Sequence, residues 1–412
     1  MTTATDWSAL YRDLHRHPEL SFGETRTAGI VAERLASSGF EVTTGIGRTG
    51  VVGQMRNGDG PVVLLRADMD GLPVEERTGL PYASADRGID PDGNDVAVMH
   101  ACGHDVHVTC LLAACERLAT EGDTWTGTLL AVFQPAEELG AGARAMLDDG
   151  LYERFPGPSV VLGQHVSPLP AGVIGLHAGP AYAATDSLRI TLHGRGGHGS
   201  MPETTVDPVV MAAATVLRLQ SVVAREVAPA DFAVVTVGRL AAGTKANVIP
   251  DDAEIRLNVR TYDAAVRTRV LAAIERIVRG EAAAAGAPAE PELEHFETLP
   301  PVVNDPQAVE RTRAALEASC AMVADPGAVA GSEDVGLLAV EAGAPCVYWM
   351  LGGADPARFA GLSTSEELIG VVRTLPSNHS PLFAPVVEPT LAVGTAALVN
   401  AAVAWLGPNR PG

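Results

Sequence analysis

Apolar positions follow one rhythm over the first 180 residues and a different one after that. From Trp7 to about Ser38, Leu10, Leu14, Ile30, Val31 and Leu35 recur at helical spacing, with a turn at His17-Pro18-Glu19. Glu41 to Val52 alternates and is broken by glycines, as strands joined by a tight turn would be. Val62-Val63-Leu64-Leu65 is instead a continuous apolar run, the pattern of a strand buried in a parallel sheet. It ends in Arg66-Ala67-Asp68-Met69-Asp70. A helix is expected from about Val106 to Ala119, then a second such strand from Thr128 to Phe133, ending in Gln134-Pro135-Ala136-Glu137-Glu138. After a helix near Gly142 to Asp149, a third strand leads through Ser159 to Gln164-His165. Strands alternating with helices predict an α/β domain with a mostly parallel sheet, flanked by helices. Ligands in such sheets sit at the carboxyl ends of the strands, where all three polar clusters fall.

From about Thr185 the pattern shifts. Ser187 to His193 alternates, and Pro208 to about Arg225 is a long helix. Ala233 to Gly238 and Glu254 to Arg260 are strand-like, and a helix covers Asp263 to Ala285. This order predicts a small α+β insert with an antiparallel sheet. Gly286 to Pro301 is polar and Pro-rich; a strand at Gly343 to Met350 and a helix from Pro389 to Trp405 then resume the α/β pattern. Two domains are therefore expected, residues 1–184 and 298–412 forming one and 185–297 interrupting it, as 412 residues would also suggest.

Composition narrows the partners. Apolar residues make up 47% and charged residues 19%, enough to fill a large core. A net charge of −21 argues against nucleic acid and against an anionic membrane surface. No run approaches the roughly 18 apolar residues of a spanning helix. The N-terminal residues lack the basic and apolar stretches of a secretory leader. The five cysteines, Cys102, Cys110, Cys115, Cys320 and Cys346, are an odd, sparse set that makes a poor disulfide framework. A reducing, cytoplasmic location is expected.

Three features carry chemistry. In His100-Ala101-Cys102-Gly103-His104-Asp105-Val106-His107, five of eight residues can bind a divalent metal or orient a ligand. A thiolate beside an imidazole suits zinc and its neighbours. The plainer reading is a helix start capped by Asp105, with histidines at a wet surface. Glu137 and Glu138 end an apolar strand, where adjacent carboxylates are costly unless a cation accepts them. Their side chains point in different directions, so one can bind metal while the other works on water. His165 ends the third strand, and His379 lies in Pro376-Ser377-Asn378-His379-Ser380-Pro381. With Cys102, His104 and Glu138 they complete a two-metal set. His107 carries a weaker signal, and Cys110 and Cys115 read as core.

In these motifs the chain resembles the M20 metallopeptidase superfamily, in its amidohydrolase branch of N-acyl-amino-acid hydrolases. The resemblance runs from His15-Arg16-His17-Pro18-Glu19 through Arg66 to Pro73, His100 to Asp105, Gln134 to Glu138 and Gly196-Gly197-His198-Gly199-Ser200-Met201-Pro202. It continues through Asn247-Val248-Ile249-Pro250 and Gly331-Ser332-Glu333-Asp334 to His379-Ser380-Pro381. It implies a zinc-exopeptidase-like catalytic domain interrupted by a lid that also forms a homodimer or homotetramer. It implies two divalent ions (zinc, manganese, cobalt or nickel) on Cys102, His104, Glu138, His165 and His379. Glu137 is then the catalytic base and His198 the stabiliser of the oxyanion, with Asn247 and Arg260 holding the substrate carboxylate. The superfamily's His-Xaa-Asp motif here reads Asp68-Met69-Asp70, so Asp70 is expected to orient a ligand rather than to be one. The expected reaction is amide hydrolysis of an N-acyl amino acid. Its rivals are a dipeptidase or carboxypeptidase of the same superfamily, and a non-catalytic metal-dependent binding protein.

Overall fold

The structure, a computed structural model, describes residues 5–362 and 364–408. The stretch read above for a leader therefore lies largely outside the described residues. The chain forms two compact units: Met1–Ala181 with Val303–Gly327 and Asp334–Gly412, and Tyr182–Val302 with Ala328–Glu333. The second unit thus takes a short piece, Ala328–Glu333, from the returning part of the chain. Val329 and Gly331 accept hydrogen bonds from the Ala183 N–H there.

In chain order, the first unit contributes α1 (Trp7–Arg16), α2 (Thr25–Ser37), β1 (Glu41–Ile46), β2 (Gly50–Asn57), β3 (Val62–Asp68), α3 (His104–Thr120), β4 (Trp125–Gln134) and β5 (Val160–Pro170). The second unit contributes β6 (Ala184–His193), α4 (Pro208–Glu226), β7 (Ala233–Ala242), β8 (Asp252–Thr261), α5 (Ala264–Ala285) and β9 (Glu292–Leu299). β10 (Cys346–Ala354) and α6 (Thr390–Trp405) return to the first unit.

The main sheet of the first unit runs β1-β2-β4-β3-β5-β10. β4, β3, β5 and β10 are parallel, and β2 and β1 add an antiparallel edge. Register aligns Asp68 with Gln134 and Arg66 with Gly163, so the polar tails of three strands emerge at one end. α3 is apolar nearly all round: Val106, Val108, Leu111, Leu112, Ala114 and Leu118 are buried, as are Cys110 and Cys115. A helix of that kind belongs inside a core, and α3 packs on β3, β5 and α6. Its first turn consequently delivers His104 and His107 to the strand ends.

In the second unit the sheet order is β7-β8-β6-β9, all antiparallel. Leu188, Ile190, Ile255, Leu257 and Val259 pack with Met211, Leu219 and Val222 of α4 and with Val270 and Ile274 of α5. Two expectations need correction here. Glu292–Leu299, read as a polar Pro-rich stretch, is the edge strand β9. Only one of its faces is covered, so Glu292, Glu294 and Phe296 point to solvent and hide the period. α4, for its part, is long and apolar enough to cross a membrane by length and composition alone. Arg218, Arg225 and Glu226 interrupt it and one face enters the core, so it is an amphipathic helix of the folded unit.

Candidate metal centre

The strand ends of the first unit bring together Asp68, Asp70, Cys102, His104, Glu137, Glu138, His165 and His379. Among the described residues five triads have donor atoms within 4.8 Å of one another, and two of them contain the thiol: Cys102, His104 and His165, and Cys102, Glu138 and His379. Cys102 belongs to both. The turn that presents it depends on Gly103, which has φ +85° and could not carry a Cβ, since that atom would lie 2.4 Å from Val166 Cγ1. The Glu137–Leu139 turn follows Ala136 at φ +47° and aims two adjacent carboxylates differently.

Hydrogen bonds decide which histidines can donate to a metal. The Val166 carbonyl can only accept, so His165 Nδ1, 2.8 Å away, carries the proton and leaves Nε2 bare toward Cys102 Sγ at 3.4 Å. His104 Nδ1 lies 3.2 Å from Asp70 Oδ1. Its Nε2 is buried with no hydrogen-bond partner, although three carboxylate oxygens, of Asp68, Glu137 and Glu138, stand 3.6–3.8 Å from it. Glu138 Oε1 is buried and without a hydrogen-bond partner too. His107 is the opposite case. Its Nε2 accepts the Val166 N–H at 2.8 Å and its Nδ1 meets Asp68 at 2.5 Å, so no lone pair remains. It is a brace, not a donor.

Electrostatics point the same way. Burial, helped by Glu138, Glu137 and Asp68, raises the Cys102 thiol well above its ordinary range. Burial opposes charge on His104, but Asp68 and Asp70 overcome it and lift the ring to about 10. His165 is pushed well below its ordinary value by burial and then by His107. A nest of buried carboxylates, with a thiol and an imidazole both clinging to protons, is one that a divalent cation would neutralise. Soft sulfur, imidazole nitrogen and carboxylate oxygen together fit a first-row divalent ion. The residues present fit the metals that the sequence implies.

Behind the cluster, Asp70 accepts from Ser21 Oγ (2.6 Å) and from the N–H groups of Glu137 (3.2 Å) and Glu138 (3.1 Å) as well as facing His104. Asp68 is held ionised against burial by His104, His107 and Arg66. The buried Arg66 guanidinium donates to Asp68 (2.7 Å), Gln134 (3.0 Å), Asp334 (2.9 Å) and Tyr348 (3.3 Å). It thereby ties together β3, β4 and β10. Asp334 also accepts the Ala143 N–H, just beyond the Glu137–Leu139 turn. Asp105 does not cap a wet helix start: it is buried against His15 at 2.6 Å. Arg66, Asp334 and Asn378 have no role legible from sequence alone. Arg66 had a signal, a lone cation in an apolar strand, which demands buried acceptors.

His198, Asn247 and Arg260 lie in the second unit. His198 and Gly197 pair with Val248 and Ile249, and the Gly199 N–H donates to the Asn247 carbonyl. Gly196 allows the approach, since a Cβ there would sit 2.6 Å from the Ile249 oxygen. His198 is exposed, and its Nδ1 accepts the Ser200 N–H at 3.1 Å, which leaves Nε2–H as an outward donor. Arg260 is partly committed: it donates to Asn258 Oδ1 (3.1 Å) and the Ala330 carbonyl (2.7 Å).

The model of the Peptidase family M20/M25/M40 matches residues 64–367. The chain is 42% identical over 281 residues to the hippurate hydrolase of Campylobacter jejuni, covering 68% of this chain and 70% of that one. It is 37% identical over 353 residues to thermostable carboxypeptidase 1 of Saccharolobus solfataricus, covering 84% and 86%. Among solved structures it resembles the Bacillus subtilis YXEP protein, described as a dinuclear metal-binding peptidase from the M20 family. The TM-score there is 0.76 at 31% identity, with 96% of each chain covered.

Proposed function

This chain belongs to peptidase family M20/M25/M40, and on that premise we propose that it hydrolyses the amide bond of N-acyl amino acids. The observation that carries the reading is the donor cluster in which the buried His104 Nε2 and Glu138 Oε1 have no hydrogen-bond partner. Two divalent ions on Cys102, His104, Glu138, His165 and His379 would supply Lewis acidity toward the amide carbonyl and toward water. Zinc, manganese, cobalt and nickel all suit this donor set.

The chain's own groups do the rest. Asp70 holds the His104 ring by its Nδ1 and the Glu137–Glu138 backbone by two N–H groups. The Glu137 carboxylate takes the proton from the attacking water and returns it to the leaving amine nitrogen. His198 Nε2–H donates to the oxygen on which negative charge develops. Asn247 and the uncommitted donors of Arg260 hold the substrate carboxylate.

The names of the relatives support this substrate class. Hippurate is N-benzoylglycine, and the C-terminal residue of a peptide is itself an amino acid acylated at nitrogen. Both present an amide next to a free carboxylate and differ in the acyl part. The carboxypeptidase relative favours peptides as a second reading.

A homodimer or homotetramer through the second unit is part of the proposal. Val209, Val210, Leu217 and Val223 of α4, with Val234 and Leu240 on the edge strand β7, are exposed apolar groups of the kind that an interface covers. A cytoplasmic setting is supported by an odd, sparse set of five cysteines and a charge of −21.

The test is amine release from N-acetyl and N-benzoyl amino acids and from dipeptides. The protein is stripped with chelator and reloaded with zinc, manganese, cobalt or nickel. Metal-restored hydrolysis of N-acyl amino acids is expected. Turnover of dipeptides alone would favour the peptidase, and metal binding without any turnover would overturn the enzyme reading.

A further inference from the structure

Asn378 precedes His379 and is only partly buried, yet its amide nitrogen reaches three acceptors. Nδ2 donates to the Cys102 carbonyl at 3.0 Å and to the Val166 carbonyl at 3.1 Å, and lies 3.8 Å from Cys102 Sγ. The next residue repeats the attachment, because the His379 N–H donates to the Ala101 carbonyl at 2.8 Å. His379 itself has φ +71°, a left-handed conformation that a β-carbon disfavours and that needs outside support.

These bonds converge on atoms that matter. The Val166 carbonyl is the one that takes the His165 Nδ1 proton, so its position fixes which ring nitrogen faces Cys102 and in what direction. The Val166 N–H is held by His107, which leans on Asp68, so that carbonyl is braced from its other side. An amide has two N–H protons, and here they join the Cys102 turn to the end of β5 from a position next to His379. Three segments that carry a candidate ligand, far apart in sequence, are linked by one side chain. Neither aspartate nor alanine can reproduce this: the two carbonyls require a donor, and aspartate would set negative charge against both.

We propose that Asn378 is a positioning residue that aligns Cys102, His165 and His379 for metal capture, with its amide nitrogen 3.8 Å from the Cys102 sulfur. The assignment rests on the metal-site reading above. Losing a partner that orients ligands from behind lowers metal affinity by about 10–100-fold. Asn378 touches no substrate atom in this role, so it governs how well the site is assembled.

The test uses the full chain and its Asn378→Asp and Asn378→Ala variants, each stripped of metal. Zinc affinity is measured by competition with a chromophoric chelator, and cobalt is added to record the thiolate-to-cobalt absorption band. Circular dichroism of the metal-free proteins reports folding. Both variants should fold, bind zinc about 10–100-fold more weakly, and show a weakened or shifted cobalt–thiolate band. The metal concentration for half-maximal turnover should rise with it, while kcat at saturating metal largely recovers. Affinity within twofold of the native chain with an unchanged cobalt band would overturn the proposal. So would failure of both variants to fold, since the amide would then serve the fold and not the site. If the native chain itself binds neither metal, the metal-site reading fails instead, which keeps the two failures distinct.

Discussion

The two units treat their polar side chains in opposite ways. In the first, Cys102 and His104 are buried, Glu138 and His165 half-buried and only His379 exposed, and several hydrogen-bonding atoms around them are already taken: His107 by Val166 and Asp68, Asp70 by Ser21 and two backbone N–H groups. His104 Nε2 and Glu138 Oε1 are left over, as are both ring nitrogens of the buried His100. In the second, His198 and Asn247 are exposed on a two-stranded ribbon fixed by a handful of backbone bonds. Prearranged burial suits a group that must bind a cation tightly in one geometry, because the cost of desolvation is met at folding. Exposure suits groups that meet a ligand only when it is present. On the proposed reading, metal affinity and the Glu137 base belong to the first unit, and the groups that meet the substrate's carboxylate and oxyanion to the second.

Three changes probe that division, starting with the largest effect. Glu137→Gln removes a proton acceptor while keeping its shape, so kcat should fall about 10²–10⁴-fold. Metal content, read by elemental analysis, should stay at the native value; retained turnover would remove Glu137 from the chemistry. His198→Ala should lower kcat about 10²–10³-fold through loss of one oxyanion donor. Because His198 is exposed in the second unit, zinc affinity and Tm should not move. A drop in zinc affinity in this variant would break the comparison outright.

The smallest effect sharpens the first unit's side of it. Burial opposes charge on His15, but Asp105 and Glu76 prevail and raise the ring to about 10. That folded-state value lies above the roughly 6.5 of an unfolded histidine, so its stabilisation is complete below about pH 6.5 and fades as pH rises toward 10. Asp105 is held low, against burial, by His100 and His15. Its contribution is present above about pH 4 and fades on acidification. The Tm of the metal-free protein should therefore decline from neutral to alkaline pH, and His15→Gln should flatten that limb. An unchanged alkaline slope in the variant would remove His15 as its origin.

Much of the first unit is legible in the sequence, for a physical reason. Strands buried on both faces need continuous apolar runs, and groups that break such a run at its end, Asp68, Glu137 and His165, stand out as chemistry. The second unit's helices and inner strands show in the same way. β9 does not, because an edge strand with one wet face needs few apolar residues, and Glu292 to Leu299 has about that many. Nor do the supports. His107 has the same residue type as a ligand and differs only in having its lone pair used by a backbone N–H from residue 166. Asn378 resembles any loop asparagine until the Cys102 and Val166 carbonyls are folded onto it. Donors are local in sequence; what saturates them is not.

The split of the first unit around the second has a consequence for biosynthesis. β10 lies beside β5 in the sheet, yet residues 171–345 separate them on the chain. During translation the second unit, nearly all of it contiguous, can close on itself while its host still lacks β10. Cys102, His104, Glu138 and His165 all emerge first, and His379 and the Asn378 amide leave the ribosome more than two hundred residues later. Such a chain would hold a half-built, sulfur-bearing site through most of its synthesis. On the proposed ligand set, the fifth donor becomes available to a metal only well after the other four.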